Sequence, residues 1–206
     1  MYLVSTPWWL RALYPALTWQ IPTKEQCLYL TFDDGPHPTA TPFVLDKLNQ
    51  FNAKASFFCI GKNVEAYQEI YNRIIAEGHS VGNHTQHHLN GWETKDMDYL
   101  ENIQFAASNI HTPFFRPPYG RIKRSQIKQL HHSSSLPSKI IMWSVLSGDF
   151  DMGISPEKCF QNVLKHTKPG SIIVFHDSTK AWDRMQYALP MALEYFSQKG
   201  YQFKAL

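Results

Sequence analysis

The sequence has few cysteines, and their spacing argues against the two commonest structural uses of this residue. Among 206 residues there are three, Cys27, Cys59 and Cys159, and no two of them form a C-x-x-C pair. Disulfide-stapled proteins carry more cysteines, usually an even number, and thiolate zinc sites need them at close spacing. We therefore expect neither a disulfide framework nor a structural zinc site built from thiolates.

Long apolar runs are also missing. No stretch approaches the roughly 18 consecutive apolar residues that a membrane-spanning helix needs. The apolar stretch 1–22 is interrupted by three prolines and by Arg11, and it lacks the basic start of a secretory signal. We therefore expect no membrane span and no signal peptide, which predicts a cytoplasmic location. Residues 1–26 are predicted to pack as an N-terminal segment on the rest of the chain.

The chain has only a small net charge, and it contains no phosphate-binding motif. Twenty Lys and Arg residues face seventeen Asp and Glu residues, a net charge of +3 with His neutral. This excess is too small to indicate nucleic acid as the main partner. Neither G-x-G-x-x-G nor a P-loop occurs, which argues against nucleotide binding. With 43% hydrophobic and 18% charged residues, the chain can bury a core, and residues 1–206 are predicted to form a single domain.

What the sequence does contain is a regular alternation of short apolar runs and amphipathic stretches. This pattern predicts right-handed βαβ units and a parallel sheet. With about seven strands in 206 residues, the chain is short for an eight-fold barrel, so we expect an α/β fold with a distorted or incomplete (β/α) barrel and outer helices. The predicted strands are 27–32, 54–60, 79–83, 113–116, 139–145, 171–176 and 201–204.

Two adjacent carboxylates, Asp33 and Asp34, follow the first predicted strand in the segment TFDDGPHP, residues 31–38. Burying both is costly unless positive charge neutralises them. The Gly-Pro that follows predicts a turn, which places both side chains at the carboxyl end of the strand. The sequence Asp-Asp-Gly-Pro, residues 33–36, also occurs in exposed turns, so the pair of aspartates alone does not identify a site.

Two histidines four residues apart, His84 and His88, follow the third predicted strand. If the segment turns helically, both imidazoles can face one ion. If it does not, His87 is an alternative ligand. One carboxylate with two imidazoles suits Zn²⁺ or a related divalent ion and leaves coordination positions open, as catalytic metal sites do.

Three further polar groups follow other predicted strands. Arg116 begins the segment RPPYG and can pair with a carboxylate. Asp149 follows the strand predicted at 139–145, and His176 ends the strand predicted at 171–176. Each alone is explained by a salt bridge or a turn. In (β/α) barrels, however, active sites are built at the carboxyl ends of the strands, so we expect these groups to converge there.

These segments resemble the motifs of polysaccharide deacetylases of the NodB-homology type, carbohydrate esterase family 4. The resemblance runs in the family's order from residue 31 to residue 177, and the first three motifs are the most specific. The matching segments are TFDDGPHP at 31–38, HTQHH at 84–88, RPPYG at 116–120, WSVLSGDF at 143–150 and IIVFHD at 172–177.

The resemblance implies a fold, a reaction and a set of roles. Family members are distorted (β/α) barrels that use a divalent metal, usually zinc and sometimes cobalt or another ion, to remove acetyl groups from glycans. Carried onto this sequence, the metal ligands are Asp34, His84 and His88. The general base is Asp33, tuned by Arg116, and the general acid is His176, tuned by Asp149. The backbone N–H of Tyr119 stabilises the oxyanion, while Phe150 and Val174 line the acetyl pocket.

The fourth motif departs from the family, since it reads Asp149-Phe150 where Asp-Trp is usual. Phe keeps an apolar wall but loses the indole N–H, which affects substrate preference more than catalysis. We therefore expect an acetylated glycan as substrate, most of all N-acetylglucosamine units of peptidoglycan or chitin-like oligomers. The alternatives are an O-acetyl esterase of the xylan type, another C–N hydrolase, and a catalytically silent glycan-binding module. Wall-active members of the family are usually exported, in contrast to the location predicted above.

Overall fold

A computed structural model describes residues 2–206 and shows a curled parallel sheet surrounded by helices. The strands are β1 (Cys27–Asp33), β2 (Ala55–Cys59), β3 (Ser80–Asn83), β4 (Phe114–Phe115), β5 (Lys139–Ile140), β6 (Val145–Leu146), β7 (Ile172–His176) and β8 (Gln202–Phe203). Seven of them follow one another in the order β5-β4-β3-β2-β1-β7-β6, while β8 pairs with β1. The predicted incomplete barrel of about seven parallel strands is confirmed.

The helices lie between these strands, with one helix before the first of them. They are α1 (Trp8–Leu13), α2 (Ala40–Gln50), α3 (Gly61–Ala66), α4 (Gln68–Ala76), α5 (Asp96–Ala107), α6 (Arg124–His132), α7 (Pro156–His166) and α8 (Trp182–Gln198), and a single 3₁₀ turn spans Pro118–Gly120. In the described part of the chain, no helix is both long and apolar enough to cross a membrane.

The sheet has to curl because its two edge strands are close neighbours in the sequence. Strands β5 and β6 occupy opposite ends of the seven-strand order, yet only residues 141–144 separate them. Seven flat strands would hold their edges about 29 Å apart at ~4.8 Å per strand. Five residue steps span at most about 18 Å. The two edges are therefore drawn towards each other around the segment 139–146.

This segment corrects the predicted strand 139–145. Its first part pairs with β4, with Phe115 opposite Ile140, and its last part pairs with β7, with Val145 opposite Ile173. Since one straight strand cannot bond to both edges of the curled sheet, the backbone leaves the strand conformation between the two halves. The result is two short strands in place of one.

The centre of the sheet is buried on both faces. All five residues of β2 are buried, and the ring of Phe32 on β1 stacks between Phe57 at 5.1 Å and Phe175 at 6.1 Å. Continuous apolar strands of this kind are typical of parallel sheets covered by helices. The rigid central strands hold the residues at their carboxyl ends in place.

Residues 2–20 lie against the segment that joins the two sheet edges. Backbone hydrogen bonds connect Thr6 N to Ser144 O at 3.1 Å, Thr18 N to Ile140 O at 2.9 Å and Met142 N to Thr18 O at 2.7 Å. The N-terminal segment thus covers residues 141–144, which connect β5 to β6.

Candidate metal centre and active site

Asp34, His84 and His88 come together at the carboxyl ends of β1 and β3. Each offers a ligand atom, and these atoms all lie within 4.8 Å of one another. Asp34 Oδ1 is 3.2 Å from His88 Nε2 and 3.7 Å from His84 Nε2. A carboxylate and two imidazoles at this spacing can hold one divalent cation.

The histidine pair reaches this arrangement without a helical turn, although a helical turn was the condition under which both imidazoles were expected to face one ion. Thr85 and His88 both have positive φ angles, 63° and 58°, which fold residues 84–88 back on themselves. His88 nevertheless faces Asp34. The imidazole of His87 is exposed, and its Nδ1 lies 2.9 Å from Asn102 Nδ2. The structure therefore does not support His87 as the alternative ligand.

The three side chains fit a cation chemically as well as spatially. His84 Nδ1 lies 2.7 Å from Arg116 O, and a carbonyl can only accept, so Nδ1 carries the proton and Nε2 keeps its lone pair for a ligand. Burial lowers the pKa of His84 to about 4, which keeps the ring neutral near pH 7. Asp34 Oδ1 is buried, and no residue within 2–206 gives it a hydrogen bond of regular geometry.

The neighbouring carboxylate, Asp33, points to a different partner. Its Oδ1 accepts a hydrogen bond from Arg116 Nη1 at 2.7 Å, and both side chains are almost completely buried. The two adjacent aspartates can diverge because Asp34 has a φ of 81°, a conformation that Asp adopts more readily than most residues. The predicted pairing of Asp33 with Arg116 is present, and Asp33 stands outside the group that could bind a metal.

Arg116 is held rigidly on every side. Besides Asp33 it donates to Thr31 Oγ1 at 2.7 Å, to Ile141 O at 3.1 Å and to Met142 O at 3.0 Å. Its guanidinium also lies 4.0 Å above the ring of Phe58. The two carbonyls belong to the segment between β5 and β6, so Arg116 ties that segment to the site.

On the opposite flank, Asp149 holds His176. Asp149 is fully buried, and its Oδ1 accepts from His176 Nδ1 at 2.7 Å. Burial alone would lower the pKa of His176, but the charge of Asp149 and this hydrogen bond outweigh it and raise the pKa to about 10. The imidazole is therefore protonated near neutral pH.

The predicted pocket residues surround these groups. The ring of Tyr119 packs against His88 with centroids 4.6 Å apart, and its backbone, with φ of 60°, forms the middle of the 3₁₀ turn. Phe150 packs edge-on against His176 at 5.3 Å. Val174 and Phe150 line the same cavity as the two aspartates and the histidines.

Asp177, for which no motif in the sequence predicted a role, sits behind the site. Asp177 is fully buried; its Oδ1 accepts from Gly35 N at 3.0 Å, and its Oδ2 bonds to the hydroxyl of Thr41. Burial raises the pKa of Asp177 to about 8. The only signal in the sequence was its place directly after His176, while the partner residues lie more than 130 positions earlier.

A cavity of about 850 Å³ connects the site to the N-terminal segment. Its lining includes Asp33, Asp34, His84, His88 and His176. The rest of the lining is largely apolar, with side chains of α1 and of residues 14–19, and Arg121 and Lys180 are charged exceptions. No short-range pattern in the sequence indicated that side chains from residues 2–19 would line the same cavity as the aspartates.

Comparison with known proteins identifies relatives of this arrangement. A family model described as polysaccharide deacetylase matches residues 20–133. A peptidoglycan-N-acetylglucosamine deacetylase of Bacillus cereus is 34% identical over 194 residues, which cover 91% of this chain and 89% of that protein. A chitooligosaccharide deacetylase of Azorhizobium caulinodans is 32% identical over 167 residues and 77% of each chain.

A solved structure is similar over almost the whole chain. It is that of the Bc1960 peptidoglycan N-acetylglucosamine deacetylase in complex with 4-naphthalen-1-yl-N-oxidanyl-benzamide. The TM-score is 0.86 at 33% sequence identity, with 98% of this chain and 95% of that chain covered. The match includes the N-terminal segment, which the family model leaves largely outside.

Proposed function

This chain belongs to the polysaccharide deacetylase family, and on that premise we propose that it is a metal-dependent hydrolase that deacetylates a carbohydrate. The proposed substrate is the N-acetylglucosamine unit of peptidoglycan or of chitin-like oligomers, the substrates named for its relatives. The observation that carries the proposal is the convergence of Asp34, His84 and His88 beside a second carboxylate and a protonated imidazole.

We assign Asp34, His84 and His88 as ligands of a divalent cation, most simply Zn²⁺, with Co²⁺ as an alternative ion of similar coordination. When bound, such a cation would supply Lewis-acid polarisation of the acyl carbonyl and would lower the pKa of water. Arg116 O orients one ligand by accepting the Nδ1–H of His84. Metal sites depend on such supporting hydrogen bonds, which fix the tautomer of the ligand.

Asp33 is proposed as the general base. One of its oxygens is committed to Arg116, so the other takes the proton from the attacking water. The guanidinium keeps the carboxylate of Asp33 in one orientation. Since Asp33 and Asp34 are neighbours in sequence but turn to different partners, the base lies next to the metal ligands without being one of them.

His176 is proposed as the general acid. With Nδ1 bonded to Asp149, Nε2 is the nitrogen that gives its proton to the leaving amine. Because its pKa is raised, His176 carries its proton at the start of each turnover. The backbone N–H of Tyr119 is proposed to stabilise the oxyanion, and Phe150 with Val174 to contact the acetyl methyl.

The experiment that tests this proposal is acetate release from a matched panel of glycans. Zinc-loaded protein is incubated with N-acetyl chito-oligosaccharides, peptidoglycan and O-acetylated xylan, and both acetate and free amine are measured. We expect release of one amine per acetate from the N-acetylated substrates. Release from xylan alone would favour the O-acetyl esterase, and release from none would identify a silent glycan-binding module.

A further inference from the structure

The cavity beside the reaction centre is far larger than an acetyl group requires. Its volume is about 850 Å³, and Phe150 and Val174, proposed above to contact the acetyl methyl, line only part of it. A group the size of a water molecule or a methyl occupies about 30 Å³. An acetyl group therefore fills a small part of the cavity, and the sugar ring that carries it fills a further part.

Part of the cavity lining is an apolar wall, while Arg121 and Lys180 line the cavity elsewhere. The apolar wall is formed by one cluster of side chains: Leu10 of α1, Leu17 and Trp19, and Met142 and Trp143 from the segment between β5 and β6. Except for partly exposed Leu10 and Trp143, these side chains are nearly buried within the protein. Walls of aliphatic and aromatic side chains bind apolar groups well.

Backbone groups along this wall are already engaged with the protein. Met142 N donates to Thr18 O, Met142 O accepts from Arg116 Nη2, and Trp143 O accepts from the hydroxyl of Thr6. A sugar ring placed here would lose water from its hydroxyls and gain no hydrogen bonds from these groups, which is costly. An alkyl chain has no such requirement.

We propose that this cavity takes the apolar tail of an acyl group longer than acetyl, of about four to eight carbons, on the amino sugar that the site hydrolyses. A six-carbon tail needs about 180 Å³ at ~30 Å³ per carbon, which the cavity provides. This inference rests on the proposed function and extends its substrate class to N-acyl amino sugars.

The reaction is the same hydrolysis. The amide C–N bond breaks, the oxygen of one water molecule bonds to the acyl carbon, and a proton passes to the nitrogen. The products are the free amino sugar and a short-chain carboxylic acid. No oxidant or further reactant is needed.

The test is a chain-length series of N-acyl chitobiosides with two, four, six and eight acyl carbons. On the zinc-loaded protein we expect KM to fall about three- to fourfold for each buried methylene, and kcat/KM at six carbons to equal or exceed that for acetyl. A fall of a hundredfold or more from two to six carbons, with acetyl still released, would overturn the inference and leave the proposed function standing. Release from no member, acetyl included, would overturn both.

A filled-cavity variant adds a second comparison. Leu10→Trp places a larger side chain in the apolar wall, and we expect it to lower kcat/KM at six carbons relative to acetyl at least tenfold. Ile75→Trp, an exposed position on α4 outside the cavity, is the matched control and should leave that ratio unchanged. An unchanged ratio in a folded Leu10→Trp protein would contradict the inference.

Binding is measured independently of turnover. Metal-free protein is titrated with the two- and six-carbon glycosides by calorimetry at several temperatures. Burial of an alkyl tail predicts a more negative heat-capacity change for the six-carbon compound. Equal heat-capacity changes for the two would overturn the inference even if Leu10→Trp does not fold.

Discussion

Asp149 binds His176 through both of its carboxylate oxygens. Oδ1 accepts from the imidazole Nδ1 at 2.7 Å, and Oδ2 accepts from the backbone N–H of His176 at 2.6 Å. The same carboxylate thus fixes the position of the residue, the orientation of its ring and its charge. A proton donor held in this way is oriented before substrate arrives.

The first prediction concerns pH. As the proposed general acid, His176 would act in its protonated form, so we expect activity to fall as pH rises through its pKa, which Asp149 raises to about 10. In Asp149→Asn the negative charge is lost, the pKa of His176 drops, and the alkaline fall in kcat/KM moves to lower pH by more than about one unit. The measurement is the pH profile of kcat/KM, with the exposed Asp98→Asn as control. An unshifted alkaline limb would count against His176 as the acid.

The second prediction separates the two adjacent aspartates. Asp33→Asn is expected to lower kcat by at least about 10²-fold, because an amide cannot accept the proton from water, while bound metal stays unchanged. Asp34→Asn is expected to lose metal as well. Metal content by mass spectrometry, measured beside acetate release, distinguishes the two. Loss of metal from Asp33→Asn would show that Asp33 is a ligand.

How far the site could be predicted depended on where each residue lies in the sheet. Asp33, His84, Arg116 and His176 all follow or end strands, and the carboxyl ends of parallel strands share one edge, so their convergence could be expected from the pattern. The divergence of Asp33 from Asp34 could not, because it depends on a positive φ at a residue other than glycine. The same holds for the fold-back of residues 84–88.

Two further features, the division of the stretch 139–146 into two strands and the cavity, could not be predicted from the sequence pattern for a different reason. The apolar stretch 139–146 has the composition of one strand, and its division depends on the two sheet edges that it bonds. The cavity depends on contacts between residues 2–19 and residues 142–150, which are more than 120 positions apart. Local periodicity carries no information about such contacts.

The third prediction concerns stability. Arg116→Met leaves Asp33 buried without its partner and frees two buried carbonyls, so we expect a loss of about 3–5 kcal/mol in the free energy of unfolding. Arg73 forms a partly exposed ion pair with Asp46 and Glu77, and Arg73→Met should cost less than about 1 kcal/mol. Urea unfolding of both variants provides the comparison. Equal losses would contradict the structural role assigned to the buried pair.

The fourth prediction concerns Phe150, which packs against both His176 and Tyr2. Phe150→Trp adds an indole N–H and volume at the acetyl pocket, so we expect the ratio of N-acetyl to O-acetyl activity to change severalfold. The pH profile should stay in place because Asp149 and His176 are untouched. Val174→Ala, in the same cavity, is the comparison for volume alone. A ratio that stays constant in Phe150→Trp would show that Phe150 does not contact the acetyl group.

The fifth prediction compares two histidines of one segment. His84→Ala removes a proposed ligand and is expected to abolish stoichiometric metal binding and acetate release. His87→Ala, three residues away with its ring against Asn102, should keep both. This pair of variants controls for any general disturbance of the loop.

The most direct test of the account is a metal titration of the chelated protein, with acetate release as the readout. We predict that chelation abolishes release from N-acetyl chito-oligosaccharides, and that added Zn²⁺ restores it in proportion up to one equivalent per chain in the unaltered protein and in His87→Ala, but not in His84→Ala. Full acetate release after exhaustive chelation would contradict the claim that Asp34, His84 and His88 hold the cation on which catalysis depends.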